Sequence, residues 1–273
     1  MIAIKLYQTG IIDAEIPFPD KWNELDVVEL EAIARVMQSD LKTVGAAKSI
    51  ILLEIIKNRC KVINIAIAII ERLDPEDLML HGLPLIDFLY KDNSLTKQPF
   101  PQLKIGFKNF AGPASDFEDL TAGEYEAAEV YFLQFKDNPD PAFLANLAAV
   151  LYRPDKVEFV SYHHKKDEYR TYNHAAVANK FSKLPAHILM IIFIWYSGCR
   201  GMLPLYFPTL YEGGSSSAET DLMVFTKCIH ASAGVKNGNR NQVRRTLLKA
   251  LYFEMDLEAI KAKELKEYYE RNK

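Results

Sequence analysis

The stretch "DLTAGEYEAAEVYF" (residues 119–132) predicts a helix with a defined start. Thr121 has the position of an N-cap, and Glu124 follows it at the spacing of a capping box. From Tyr125 to Phe135, apolar residues recur at intervals of three and four, which is typical of the packed face of a helix. We therefore expect the aromatic rings of this helix to be buried and its glutamates to face water.

Similar patterns along most of the chain predict a mainly α protein. Asp26 and Glu29 have the capping-box spacing, and apolar residues follow them at helical intervals. Pro17 and Pro19 exclude a helix near the start of the chain, where "IAIKL" has the composition of a strand. The predicted fold is an irregular multi-helix bundle with a short N-terminal β piece.

Residues 91–117 contain three prolines and two glycines among polar residues, and this composition marks a boundary. We expect an N-terminal helical region over residues 1–95, a linker over residues 96–117 and a C-terminal helical domain over residues 118–273. Within the last part, an apolar helix is predicted to end near two glycines, Gly198 and Gly201.

Composition excludes several classes of function. Hydrophobic residues make up 49% of the 273 positions and charged residues 25%, a balance that indicates a sizeable core. The net charge of −3 gives no overall field that would attract nucleic acid or an anionic membrane. Three widely separated cysteines favour a reducing compartment over a disulfide scaffold.

The most apolar segment, residues 49–70, is interrupted by charged residues. Its uninterrupted apolar runs are far shorter than the roughly 20 residues that a membrane span needs. The first residues contain early acids and lack the pattern of a signal peptide. We expect a cytoplasmic protein with no membrane partner.

Catalytic and metal-binding interpretations have weak support. Glu126 and Glu129 lie on one helix face, whereas acid–base pairs of glycosidases come from opposing elements. Cys228 and His230 are two residues apart, which is not the spacing of a zinc site. We predict no cofactor and no metal. Cys199 with a histidine remains open as a nucleophilic pair.

Nucleic-acid binding is the main alternative function. The segment 236–245 contains four basic side chains within ten residues: Lys236, Arg240, Arg244 and Arg245. These side chains could contact the phosphates of a nucleic acid. An acidic protein partner would use the same side chains. The arginines could also form only the solvated face of the last helix.

Two apolar segments are candidates for docking a protein partner or for the core. One is "LPLYFPTLY" (residues 203–211), and the other is the long C-terminal helix, which is apolar at Leu247, Leu248, Leu251 and Leu257.

Several phrases resemble those of a family of hypothetical proteins from tailed phages and prophages of Bacteroidetes-type bacteria. They are "IPFPDKWNEL", "DLTAGEYEAAEVYF", "LAAVLYRP" and "FIWYSGCRGMLPLYFPTLYEGG". A helix start of the form (D/N)-L-T-x-G-E-(F/Y), followed by A-x-L-Y-R-P, is also similar to small proteins encoded beside tail and baseplate genes, some of which are tail-assembly chaperones. The matching positions are Leu120, Thr121, Gly123, Glu124 and Tyr125, then Ala149, Leu151, Tyr152, Arg153 and Pro154.

The resemblance implies a non-enzymatic protein of virion assembly or structure, located in the host cytoplasm or in the virion. Its partners would be phage tail or virion proteins. This chain is longer than the small chaperones, so a structural virion subunit is an equal expectation. The expected structural or interaction residues are Thr121, Glu124, Tyr125, Tyr152, Arg153 and Arg200. In particular, Arg153 is predicted to reach Glu124 or Glu126 and to lock two helices together.

Overall fold

The computed structural model describes residues 2–8, 12–41, 43–60, 76, 78–154, 174–212, 222–234 and 238–272. Most of these residues are helical, which confirms the mainly α class. The α-helices are α1 (Val27–Met37), α2 (Val44–Arg59), α3 (Ala122–Asp137), α4 (Pro141–Leu151), α5 (His174–Phe181), α6 (Ala186–Tyr206), α7 (Pro208–Tyr211), α8 (Leu222–Ser232), α9 (Arg240–Arg245) and α10 (Leu248–Arg271). Shorter helical turns of the 3₁₀ or π type cover Trp22–Glu24, Leu78–Gly82, Leu83–Tyr90 and Ser115–Phe117.

In the described residues, two small antiparallel sheets accompany the helices. The strands β1 (Ile2–Gln8) and β2 (Ile12–Phe18) form a hairpin, which is the N-terminal β piece that the sequence predicts. The strands β3 (Gln102–Ile105), β4 (Lys108–Ala111) and β5 (Arg153–Pro154) form a second sheet in that order. The second sheet was not predicted, because its strands have only two to four residues and lie among prolines and glycines.

The predicted capping boxes set the starts of two helices. Asp26 and Glu29 exchange side-chain-to-backbone hydrogen bonds at the start of α1. Thr121 and Glu124 do the same at the start of α3. These bonds satisfy backbone N–H groups that have no partner within the first turn.

The helix α6 lies in the centre of the core, with Trp195 and Tyr196 fully buried. It packs on α1 and α4, so helices from the first and last parts of the chain share its surface. The expectation that this helix ends near Gly198 and Gly201 is wrong, since α6 continues to Tyr206. Gly198 instead allows the backbone at Leu95 to approach α6 closely. A Cβ atom at position 198 would lie only 2.8 Å from the Leu95 nitrogen.

The segment 96–117 also contributes to the core. Leu103, Phe110 and Phe117 belong to the same buried cluster as the residues of α6. A stretch predicted as a linker therefore packs against the helices. The division into domains at residues 95 and 117 stays a prediction.

Among the described helices, α6 alone is long and apolar enough to span a membrane by length and composition. Of its most apolar 18-residue window, 56% is buried inside the protein. The core helices of soluble proteins can have the same length and apolar composition, so these two properties of α6 are weak evidence for a membrane span.

Candidate functional site

The three glutamates in the first half of α3 each pair with an arginine from a different element. The expectation that they face water is wrong, because α4, α8 and α9 pack around α3 and aromatic rings of α6 lie against it. Glu124 and Glu129 are only 7% and 5% exposed. The pairs are Glu124 with Arg153 of β5, Glu126 with Arg244 of α9, and Glu129 with Arg200 of α6.

Glu124 has two roles at the start of α3. Its Oε2 accepts hydrogen bonds from the Thr121 backbone N–H and from the Thr121 hydroxyl, each at 2.7 Å. Its Oε1 accepts from the Arg153 guanidinium. The predicted contact between Arg153 and an acid is thus confirmed, and it ties the end of α4 to the beginning of α3.

Glu126 joins α3 to α8 and α9. The Arg244 Nε and Nη2 atoms donate to its two oxygens at 2.6 and 3.1 Å, and the Thr226 hydroxyl donates at 2.8 Å. Burial alone would raise the pKa of Glu126, but the hydrogen bonds from Arg244 and Thr226 outweigh it and hold that pKa below its ordinary value. The carboxylate is therefore ionised at neutral pH.

Glu129 has the most buried of the three pairs. The Arg200 Nε lies 3.0 Å from both of its oxygens, and the Tyr196 hydroxyl donates to it at 2.9 Å. The guanidinium also lies 5.3 Å from the centre of the Phe132 ring. Burial would lower the pKa of Arg200, but the Glu129 charge raises it above its ordinary value. A charged pair inside the core is the result.

The aromatic residues of α3 are part of a buried cluster of rings. Tyr125 is 5% exposed, and its ring lies 4.8 Å from Phe225, 6.1 Å from Tyr196 and 6.4 Å from Tyr252. The predicted burial of this face is confirmed for Tyr125 and Phe132, whereas Phe135 is only partly buried. Burial raises the pKa of Tyr125, Tyr196 and Tyr252 well above the ordinary value, so all three hydroxyls stay protonated.

Tyr152, in the sequence "LYRP" at the end of α4, packs against the segment 96–117. Its ring is fully buried, and its hydroxyl donates to the Phe100 carbonyl at 2.9 Å. A Cβ atom at Gly112 would lie 2.6 Å from the Tyr152 ring, so only glycine allows this packing. Burial raises the pKa of the Tyr152 hydroxyl.

The predicted structural or interaction residues are thus engaged within the chain itself. Thr121, Tyr125 and Tyr152 are less than a tenth exposed, and Arg153 and Arg200 pair with glutamates of α3. They hold the fold together.

Cys199 is an unfavourable nucleophile in this environment. It is fully buried, and its thiol points at the carbonyl oxygens of Leu95 and Thr96, 3.9 and 3.8 Å away. Burial raises the pKa of this thiol far above its ordinary value. A reactive cysteine needs the opposite, namely exposure and a lowered pKa.

A strained turn lies beside Cys199 and was missed from the sequence. Asp116 and Phe117 both have a φ of 57°, in the left-handed region that residues other than glycine rarely adopt. The Asp116 N–H donates to the Thr96 carbonyl at 2.8 Å, and the Asp116 carboxylate accepts from Lys249 Nζ at 2.5 Å. The turn joins the segment 96–117 to α10. Aspartate adopts this conformation more often than most residues do, but phenylalanine does not, and no glycine stands at either position.

The predicted basic cluster is divided by the structure. Arg244 is committed to Glu126, so its interpretation as part of a solvated face is wrong. Arg245 is partly buried, whereas Arg240 is exposed. Lys236 lies outside the described residues. The cluster therefore does not present its arginines as one continuous exposed surface.

The docking segments are partly core and partly surface. In "LPLYFPTLY", Leu203 and Phe207 are buried, while Leu205 is 70% exposed. In α10, Leu248 is buried and Leu257 is 39% exposed. Each segment thus packs against the core on one side and has exposed apolar side chains on the other.

The tip of the β3–β4 hairpin carries the most exposed large apolar residue in the described part of the chain. Phe107 has 105% of its reference exposure, so its ring stands fully in solvent. Gly106 precedes it with a φ of 62°, as a tight two-residue hairpin turn requires. Lys104 and Lys108 are exposed beside it. The result is an aromatic tip flanked by positive charge.

Within the described residues, no group of three or more histidine, cysteine or acidic side chains is arranged to hold a metal ion. The three cysteines are free thiols. Comparison with protein-family models, with curated proteins and with solved structures finds no match to this chain.

Proposed function

We propose that the protein is a non-enzymatic, protein-binding component of phage tail or virion assembly, either chaperone-like or a subunit of the particle. The resemblance of the "DLTAGEY" and "LYRP" phrases to proteins of tailed phages and prophages supports the phage assignment. The internal engagement of the α3 glutamates and of Cys199 supports a binding role over a catalytic one.

The exposed hairpin tip is the observation that carries the proposal. Aromatic side chains dominate the binding energy of many interfaces, because they fill pockets on the partner and lose little conformational entropy there. Phe107 lies in a two-residue turn, and its burial would remove a full apolar ring from water. The flanking Lys104 and Lys108 favour a pocket with an acidic rim.

Affinity capture from cells that produce the phage tests this proposal. The tagged chain is purified, and the captured proteins are identified by mass spectrometry. We expect tail or virion proteins encoded by the same phage or prophage. Phe107→Ser should reduce their recovery at least about tenfold, whereas Phe107→Trp, which keeps an aromatic ring, should retain them.

Two outcomes would contradict the proposal. One is capture of no tail or virion protein by the wild-type chain. The other is recovery that depends on nucleic acid, disappears with nuclease and falls steeply between low and moderate salt. The second outcome would favour the alternative, a nucleic-acid-associated protein that uses the segment 236–245.

A further inference from the structure

The helix α10 has apolar side chains on two opposite faces. Leu248, Tyr252 and Met255 pack against the core of the protein. Successive helical residues are about 100° apart, so Phe253 and Leu257 project from the other side of the helix. They are 57% and 39% exposed. We call this second side the outer face of α10.

The outer face continues where the helix leaves the body of the protein. Every residue of the segment 261–271 is exposed, including Leu265 at 55% and Tyr268 at 63%. An isolated helix of about a dozen residues is only marginally stable in water, because most helical stability in proteins comes from packing of an apolar face. This part of α10 therefore lacks the packing that would normally stabilise it.

The sequence of the outer face is complementary to itself when reversed. With the centre placed between Ala262 and Lys263, Leu257 falls opposite Tyr268 and Lys261 falls opposite Glu264, whereas Phe253 falls opposite the amide of Asn272. At the edge of the face, Glu258 falls opposite Glu267, where water screens the like charges. The matched pairs near the middle of the face are Leu257 with Tyr268 and Lys261 with Glu264. Glu254 falls opposite Arg271, which pairs with Glu267 within its own helix.

We propose that the occupant of this face is the α10 helix of a second copy of this chain, packed antiparallel around a two-fold axis between Ala262 and Lys263. In such an isologous interface each matched pair occurs twice. Leu257 and Tyr268 would cover each other, and each Lys261 would lie beside the Glu264 of the other copy. The proposal does not depend on the tail or virion partner.

A charge substitution tests the antiparallel pairing. Lys261→Glu places two acids opposite each other at both symmetry-related positions, and Glu264→Lys places two bases there. Sedimentation velocity of the full chain should show a dimer for the wild type and an increase of at least about tenfold in the dissociation constant for each variant. Lys183→Glu, an equal charge change on another exposed surface, should leave the dimer unchanged.

Mixing the two variants separates a broken interface from a damaged helix. In an antiparallel heterodimer, the acid that replaces Lys261 in one chain faces the base that replaces Glu264 in the other. The unchanged Glu264 of the first chain likewise faces the unchanged Lys261 of the second. Contacts within each helix are unaffected by mixing. We therefore expect the mixture to dimerise although each variant alone is monomeric, with helical circular dichroism rising on dimerisation.

Three results would overturn the proposal. The first is a wild-type chain that stays monomeric at every concentration tested. The second is an unchanged dimer for Lys261→Glu, as expected for a parallel pair, in which Lys261 already faces a like charge. The third is a mixture of the two variants that remains monomeric.

Discussion

At the scale of single residues, Arg200 is the side chain whose loss should be most damaging. It is the partner of Glu129, which is 5% exposed, and removing one member of a buried pair leaves an uncompensated charge. We expect Arg200→Met, which keeps the apolar stem, to lower the free energy of unfolding by about 3 kcal/mol. Urea denaturation measures the change.

Two further variants show whether charge is the cause. Adding Glu129→Gln to Arg200→Met removes the orphaned charge and leaves an acceptor for the Tyr196 hydroxyl, so it should restore part of the lost stability. Arg35→Met removes an exposed pair with Glu31 and should cost less than about 1 kcal/mol. An equal cost for Arg35 and Arg200 would be inconsistent with this account.

The residue scale also shows why part of the site was predictable and part was not. The contact of Arg153 with Glu124 could be predicted because both belong to short phrases 29 residues apart that begin and end neighbouring helices. Arg200 and Arg244 are 71 and 118 residues from their glutamates, and no local pattern links them. Their pairing depends on how α6 and α9 pack on α3.

At the scale of elements, local rules identified helix starts but missed the short strands. Capping boxes at Asp26 and Thr121 involve residues three apart, so the sequence displays them directly. The sheet formed by β3, β4 and β5 depends on pairing of Phe110 with Pro154, which are distant in sequence. The segment of β3 and β4 has the composition of a loop, and the strand that pairs with β4 follows α4 in the sequence. For these reasons the strands were not predicted.

The two glycines of α6 provide a matched test of helix packing. At Gly198 a methyl group would collide with the backbone of Leu95, only 2.8 Å from its nitrogen. At Gly201 it would lie 3.6 Å from the Asn93 carbonyl oxygen, an ordinary contact. We expect Gly198→Ala to destabilise the protein by about 2 kcal/mol through overpacking. Gly201→Ala should stabilise it by up to about 1 kcal/mol, because alanine favours the helix.

Thermal denaturation of the two variants beside the wild type gives the comparison. The melting temperature should fall for Gly198→Ala and stay level or rise for Gly201→Ala. Equal shifts of the same sign would mean that the chain at Leu95 does not pack closely on α6, and the central position of this helix would then need revision.

At the scale of the whole molecule, the pairs around α3 connect elements that are far apart in the sequence. Glu124, Glu126 and Glu129 link this one helix to β5, α9 and α6. Loss of any one of these pairs would weaken the contact of α3 with another element. The effect of acid on one of these pairs can be followed at Glu126, whose pKa its partners lower.

The pKa of Glu126 is held below its ordinary value of 4.5 in the folded protein by Arg244 and Thr226. Its contribution to stability is therefore present above the unfolded-state pKa and is lost as the pH falls through the folded-state pKa. We expect Glu126→Gln to lower the free energy of unfolding by about 1–2 kcal/mol at neutral pH. The difference from the wild type should shrink on acidification below about pH 4.5, where Glu126 itself becomes neutral.

Urea denaturation at a series of pH values measures this convergence. Gln134→Ala, an exposed change on the same helix that removes no titrating group, should differ from the wild type by a constant amount at every pH. A constant difference for Glu126→Gln as well would mean that the Arg244 pair does not favour the ionised carboxylate. In that case the side chain would stabilise the packing of α3 on α8 and α9 by its shape alone.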